Sequence, residues 1–213
     1  MGGYPDPVTG KRGRPPSGAD DAIVVSATEI IEQEGLSRLT TKEVARRAGV
    51  SEATVFYHFG DKVGLLRAVI LAGLAPLERF DPSHLADDSA EPLSETIAEI
   101  ARSFEAFFDQ TLPLVEAIQG DAEVRDAFAE GLVARDLGPH RGVRFFAALI
   151  DAMRRSGRIA EDFDVDAVAT MLVGGCFLRA WARHLAPDLS ARLPDPGALG
   201  SALARLLSED RTS

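Results

Sequence analysis

Hydrogen-bonding side chains of several kinds lie close together between residues 54 and 62. Thr54 supplies a hydroxyl, Tyr57 a phenol, His58 an imidazole and Lys62 an ammonium group. Such groups can donate to phosphate oxygens and to the edges of nucleic-acid bases. Lys62 also opens a predicted helix, where free backbone N–H groups and the helix dipole favour an anion. The spacing therefore indicates a surface that could contact a nucleic acid.

Two short helices joined by a tight turn would present this surface. Thr40 and Glu43 form a T-x-x-E capping box that starts the first helix, and Gly49 ends it. Ser51 can N-cap the second helix, which continues through Phe59. The pair predicts a helix-turn-helix, in which the second helix is offered to the DNA major groove.

The second helix divides into two predicted faces. Val55 and Phe59 lie four residues apart and are expected to face the core. Solvent or DNA would then meet Glu52, Ala53, Thr54, Tyr57 and His58. The alternative interpretation is a helical hairpin inside a bundle, with Tyr57 and His58 as ordinary surface residues.

The segment LTTKEVARRAGVSEATVFYHFGDKVGLL resembles the DNA-binding signature of the tetracycline-repressor (TetR) family of transcriptional regulators. The resemblance runs through about residues 20–71, with four helices in the family's order. It implies phosphate contacts at Thr40, Thr41, Tyr57, His58 and Lys62, and base contacts near Ala53 and Thr54. Lys42, Ser51 and Phe56 complete the expected DNA-binding set.

Two positions depart from the family pattern. The family often has Tyr where this chain has Phe56, so one phosphate contact is in doubt, although the ring could pack against a thymine methyl. The family often has Lys or Arg where this chain has Glu52. The acid would either accept a hydrogen bond from a cytosine amino group or remain solvated near the phosphates.

Residues 1–16 are rich in Gly and Pro and are predicted to form a disordered arm. The arm contains Lys11-Arg12-Gly13-Arg14-Pro15-Pro16, and its R-G-R-P core is similar to an AT-hook. Arg12 and Arg14 would then enter the minor groove of A·T-rich DNA. The alternative is a solvated basic tail.

Charged residues are distributed unevenly along the chain. The net charge is −10 over 213 residues, but residues 1–67 carry 9 basic and 9 acidic groups. The remainder carries the whole negative charge and would repel DNA. We therefore expect a DNA-binding domain at 17–66 and a second domain at 67–213 with a different partner. The single cysteine, Cys176, excludes an intrachain disulfide, and with no apolar leader this favours the cytoplasm.

The pattern is helical almost to the end, which predicts an all-α fold. Three helices would form the DNA-binding domain and a fourth would connect it to the larger domain. There, the apolar periodicity and the Pro and Gly breaks predict helices near 91–110, 111–119, 121–136, 139–156, 165–185 and 196–208.

Aromatic residues recur at helical spacing in the larger domain. Ordinary core packing explains any one of them, but family resemblance supports an apolar ligand pocket. The candidate lining residues are Phe104, Phe107, Phe108, Phe128, His140, Phe145, Phe177 and Trp181. The expected partner is a small, largely apolar molecule.

The last two predicted helices are the expected homodimer interface. Val168, Leu172 and Gly175 share one face of the first. Leu199, Leu203 and Leu206 supply an apolar face of the second. Two helices from each subunit would form a four-helix interface with two-fold symmetry, matching a palindromic operator.

Signatures of catalysis and of metal or cofactor binding are missing from the sequence. The D-x-D-x-D run from Asp162 lacks the later Gly and Glu of a calcium loop, since Ala167 and Val173 occupy those positions. We therefore expect no cofactor, no metal and no enzymatic activity, and predict a ligand-released repressor. Two alternatives remain open, an activator or a regulator without a small ligand, and an all-α enzyme or carrier with an accessory DNA-binding domain.

Overall fold

The computed structural model describes residues 18–77, 80, 92–159 and 163–208. Regular structure in these ranges is helical, without strands, which confirms the all-α prediction. The chain separates into two compact units, Met1–Ala72 and Gly73–Ser213. Arg12 and Arg14, like the rest of the predicted arm, lie outside the described residues.

The first unit contains a small helical bundle. Its described helices are α1 (Gly18–Glu34), α2 (Thr41–Ala48), α3 (Glu52–Phe59) and α4 (Lys62–Ala72). α1 packs against α2 and α4, and α3 packs against the same two helices. The fully buried apolar side chains that hold the bundle together are Ile23, Ile30, Leu39, Val44, Val55, Leu65 and Leu66.

Local hydrogen bonds start and stop these helices where the sequence predicts. The Glu43 amide donates to Thr40 Oγ1 over 3.1 Å, and the Thr54 amide donates to Ser51 Oγ over 3.1 Å. Gly49 ends α2 at a φ of 68°, a left-handed conformation that favours glycine. The angle between α2 and α3 therefore follows from this turn and its two caps.

The second unit is a larger bundle of longer helices. They are α5 (Leu93–Gln119), α6 (Ala122–Ala134), α7 (Pro139–Arg155), α8 (Val165–Leu185) and α9 (Pro196–Ser208). α5 packs against both α8 and α9, and α7 packs against α8. The shared core includes Ile97, Ile100, Phe104, Phe146, Leu149, Ile150, Met153, Leu172, Cys176, Leu203 and Leu207.

The predicted break between helices at residues 110 and 111 is wrong. α5 continues through Pro113 to Gln119. Proline usually interrupts a helix because it lacks an N–H donor and its ring crowds the preceding turn. Here Leu112, Leu114 and Ile118 are buried on the far side of the proline, and we attribute the continuity of the helix to this packing.

A buried ion pair connects α5, α8 and the segment before α9. Arg179 is only 8% exposed, and its Nε donates to Glu105 Oε1 over 2.5 Å. Its Nη1 donates to the backbone carbonyls of Ser190, Leu193 and Pro194. These bonds satisfy a charge that would otherwise be costly to bury and hold the chain in place where α9 begins.

α8 is long and apolar enough to cross a membrane by length and composition alone. The core helix of a soluble protein passes the same test. α8 contributes Leu172 and Cys176 to the core and carries Arg179 in the ion pair with Glu105, as expected of a core helix.

Candidate nucleic-acid interface

α3 presents two large aromatic rings to solvent. The side chains of Phe56 and Tyr57 are 66% and 85% exposed, whereas Val55 is fully buried. Ala53 is exposed and Thr54 is partly buried on the same helix. Exposed rings of this size are unusual on a helix without a partner, so this face of α3 is the strongest candidate for a binding surface.

A hydrogen bond links the starts of α2 and α3. Thr41 Oγ1 donates to Glu52 Oε1 over 2.7 Å. Glu52 therefore binds its own chain, a role that neither sequence interpretation included. Beside it, the hydroxyl oxygens of Ser51 and Thr54 lie 2.8 Å apart. The hydroxyls at this edge of the surface are thus held in defined positions by partners within the unit.

Most arginine charge on α2 is neutralised locally. Glu43 accepts from Arg46 and Arg47 at 2.6 and 2.9 Å, and Arg47 also pairs with Glu34. The pKa of Glu43 is lowered to about 2, mainly by the hydrogen bond from Arg46 and next by the hydrogen bond from Arg47. The network ties α1 to α2.

The two lysines of the surface are placed differently from the arginines. Lys42 is exposed on α2, and Lys62 is partly buried at the start of α4. Within the described ranges neither lysine takes part in an ion pair. Among the described residues, no carboxylate therefore neutralises either ammonium group.

His58 contacts a residue that sequence reasoning missed. Its Nδ1 lies 2.8 Å from Oδ1 of Asp20, in the first turn of α1. The ring also meets its neighbour Tyr57 edge-on, with centroids 5.1 Å apart. No local pattern relates positions 20 and 58, so only the packed bundle reveals this pair.

In the second unit, five of the predicted ligand-binding aromatics lie together. Phe108 is central, with ring centroids 5.4 Å from Phe107 and Phe177 and 6.4 Å from Phe104. Phe104 is also 6.4 Å from Phe145. We call these five residues the aromatic cluster. Phe104 is buried, the other members are partly or largely exposed, and the cluster joins α5, α7 and α8.

Three other predicted ligand-binding residues have different surroundings. His140 is exposed and contacts Asp136, with Nε2 3.0 Å from Oδ1. Phe128 is partly buried on α6, a helix without a fully buried side chain. Trp181 is exposed on α8. In the part of the chain that the structure describes, none of the three makes a ring contact with the aromatic cluster.

Most residues of the predicted dimer face pack within the chain itself. Leu172 and Leu203 belong to the chain's own core, and Val168 and Leu199 pack against that core. A Cβ on Gly175 would point at Leu199 of the same chain, 3.9 Å from its Cδ1. Leu172 and Leu203 therefore have little surface left for a second copy, whereas Val168, Gly175 and Leu199 are only partly buried.

The exposed apolar residues of α8, apart from Phe177 of the aromatic cluster, lie on another side of the helix. They follow a three- and four-residue spacing and form what we call the α8 stripe: Met171, Gly174, Leu178, Trp181 and Leu185. Met171 is 71% exposed. Leu206, the one predicted interface leucine that remains largely exposed, is 64% exposed on α9.

The described residues contain neither a candidate metal site nor a reactive cysteine. They contain no group of three or more His, Cys, Asp or Glu side chains that could hold a metal ion. Cys176 is buried, and desolvation, followed by the charge of Glu105, raises the pKa of its thiol to about 12. The thiol is therefore protonated and behaves as a small apolar group.

Comparison with known families identifies the first unit. Residues 23–69 match the model described as bacterial regulatory proteins, tetR family. This segment therefore belongs to the tetR family. The matched segment includes most of α1, all of α2 and α3, and most of α4, so it contains the exposed face described above.

Relatives extend the similarity beyond the matched segment. The transcriptional repressor BepR of Brucella suis is 25% identical over 173 residues, which are 76% of this chain and 79% of BepR. A solved complex of SmeT with triclosan has a TM-score of 0.60 at 18% identity, covering 92% of this chain and 94% of SmeT.

A second solved structure shares the fold. FadR of Bacillus subtilis, in complex with stearoyl-CoA, has a TM-score of 0.54 at 19% identity, covering 89% of this chain and 97% of FadR. Proteins of this family are DNA-binding transcriptional regulators, generally repressors.

Proposed function

We propose that this regulator is a repressor that occupies a palindromic operator as a homodimer and leaves it when a small, largely apolar molecule binds. The observation that carries the proposal is the exposed face of α3 within a tetR-family DNA-binding unit. We also propose that the protein acts in the cytoplasm and catalyses no reaction.

α3 is proposed to enter the major groove. Ala53 and Thr54 would meet base edges, and the exposed ring of Phe56 would pack against a thymine methyl. Phosphates would be held around the groove by Thr40, Thr41, Lys42, Ser51, Tyr57, His58 and Lys62. Arg12 and Arg14 are proposed to reach the flanking minor groove where A·T pairs narrow it.

A second copy of the chain is the proposed occupant of the α8 stripe. The stripe is apolar, and Leu206 of α9 extends the exposed apolar surface of the last two helices. Two-fold symmetry would place the stripe of one protomer against that of its partner and present two recognition helices. Half-sites one helical turn apart would then form a palindrome.

The aromatic cluster is the proposed ligand-binding region. Exposed and half-buried rings from α5, α7 and α8 offer a largely apolar surface with little polar competition. SmeT and FadR, which share the fold, were solved with triclosan and stearoyl-CoA, both with large apolar parts. These ligands support the class of molecule that we propose here.

For the ligand to release the operator, it must bind two states of the dimer with different affinities. The ligand must bind the DNA-incompetent dimer more tightly than the competent one, because equal affinity for both shifts no population. We propose that α4, which precedes the second unit in the chain, moves when the ligand binds. A coupling of about 1–3 kcal/mol would lower operator affinity roughly 5- to 150-fold.

Triclosan and stearoyl-CoA are suitable first probes for this release. We expect at least one compound in a panel containing both to lower operator affinity by roughly 5- to 150-fold. Phe108→Ala should abolish that response because Phe108 contacts three other rings of the aromatic cluster. Fluorescence anisotropy of a labelled operator measures both effects.

The matched control is Phe128→Ala, which removes an aromatic ring outside the cluster and should leave the response intact. If no apolar compound releases the operator, the protein is a constitutive DNA-binding protein. If Phe128→Ala abolishes the response and Phe108→Ala does not, the ligand binds elsewhere in the unit.

A further inference from the structure

Asp20 and His58 form a contact between the first turn of α1 and the last turn of α3. His58 Nδ1 and Asp20 Oδ1 are 2.8 Å apart. Oδ1 is buried and has no aligned hydrogen bond. The close approach of the imidazole is therefore the contact that can offset the burial of this oxygen.

Which ring nitrogens of His58 carry a hydrogen determines which hydrogen bonds the imidazole can make. A carboxylate only accepts, so His58 Nδ1 must carry hydrogen to bond with Asp20. A neutral ring then has a bare, accepting Nε2, which cannot donate to a phosphate oxygen. Only the imidazolium can bond with Asp20 through Nδ1 and with DNA through Nε2 at the same time.

We propose that Asp20 is a positioning residue that makes binding of the DNA backbone by His58 depend on proton uptake. The inference rests on the proposed DNA-binding function and adds a residue on α1, outside the helix-turn-helix. Each subunit would take up one proton at His58 on binding the operator. Operator affinity should therefore fall as pH rises.

Other charged groups near α3 are occupied or lie on different helices. Asp20 reaches the ring from α1, with Asp21 next to it in the chain. Charged groups on the elements packed against α3 are Lys42, Glu43, Arg46 and Arg47 of α2, Lys62 and Arg67 of α4, and Asp61 just before α4. Glu43, Arg46 and Arg47 pair with one another and with Glu34, and Asp61 caps the amide of Gly64. On α3 itself, Tyr57 touches the ring and Glu52 bonds to Thr41.

Asp20→Asn tests the proposal because two explanations predict opposite changes in operator affinity. Simple charge repulsion predicts that removing a carboxylate strengthens DNA binding. Our proposal predicts about tenfold weaker binding near pH 7, from the loss of a charge-assisted bond to phosphate. At pH 5.5, where protons are more abundant, the variant should recover close to wild-type affinity.

Asp21→Asn is the matched control, since it removes the same charge from the neighbouring, exposed position of α1. It should keep the wild-type pH profile. His58→Gln, whose amide donates at every pH, should remove the dependence on proton uptake. Operator affinity of the full-length dimer, measured at constant salt from pH 5.5 to 8.5, distinguishes the variants.

The wild-type profile should approach one proton taken up per subunit, and Asp20→Asn should flatten it between pH 6.5 and 8. A wild-type profile without pH dependence overturns the inference. So does an Asp20→Asn profile parallel to the wild type, which would assign Asp20 a purely structural role. Failure to bind any operator at any pH would instead overturn the proposed function itself.

Discussion

Leu178→Asp is expected to convert the dimer into monomers and to weaken operator binding by more than about 100-fold, because simultaneous engagement of two half-sites is lost. Leu178 is in the middle of the α8 stripe, and two-fold symmetry would bring each substitution into the interface twice. An unpaired carboxylate buried in an apolar contact is strongly unfavourable. Sedimentation velocity measures the association state, and anisotropy measures the affinity.

Val133→Asp provides the control for this substitution. Val133 is 82% exposed on α6, away from the α8 stripe in sequence, and its replacement adds the same charge to an equally apolar position. This variant should remain a dimer with wild-type operator affinity. If Leu178→Asp also sediments as a dimer, the proposed interface is incorrect.

Gly200→Ala is expected to destabilise the second unit by about 3 kcal/mol or more, at the upper end of the cost of overpacking. A Cβ at this position would lie 2.3 Å from the Ser94 carbonyl oxygen and 2.9 Å from the Ala98 amide nitrogen. Both atoms are backbone, so relief requires α5 and α9 to separate. Thermal unfolding followed by circular dichroism should show a lower transition temperature.

The contrasting variant is Gly175→Ala in α8. Its new methyl carbon would meet Leu199 Cδ1 at 3.9 Å, an ordinary van der Waals distance. Alanine also has a helix propensity better than glycine by about 1 kcal/mol, so this variant should be at least as stable as the wild type. Equal stability of the Gly200→Ala and Gly175→Ala proteins would contradict the close helix crossing at Gly200.

Local sequence signals were sufficient to predict the first unit. Thr40, Gly49 and Ser51 occupy positions where a cap or a left-handed turn is required, and each acts as expected in the structure. Such signals involve residues within three or four positions of one another. Their geometry therefore follows from the chain's covalent spacing and from few long-range contacts.

In the larger unit, hydrophobic periodicity alone does not predict which face of a helix is buried. α8 is apolar on two sides, with Leu172 in the core and Leu178 exposed. Hydrophobic spacing identifies both faces but cannot tell which one packs inside the chain. Pro113 shows the same limit, since a strong local breaker is overridden by the packing of Leu114 and Ile118.

Contacts between side chains distant in sequence could not be predicted, because they depend on how the helices pack. Asp20 and His58 meet only because α1 and α3 are brought together, and Arg179 finds Glu105 across two long helices. Thr41 and Glu52 are closer in the chain, yet their bond depends on the angle between α2 and α3. None of these pairs has a local signature.

The central claim is that α3 and its neighbouring cations bind a specific DNA sequence. Selection of duplexes from a random pool by the purified protein tests it most directly, with the enriched sequence then measured over a range of salt. We expect a palindromic sequence to be bound well above random duplex, and Lys62→Ala to lower the salt slope by about one per subunit at every sequence. No enrichment above random duplex, in the absence of ligand, would show that α3 does not bind a specific DNA sequence.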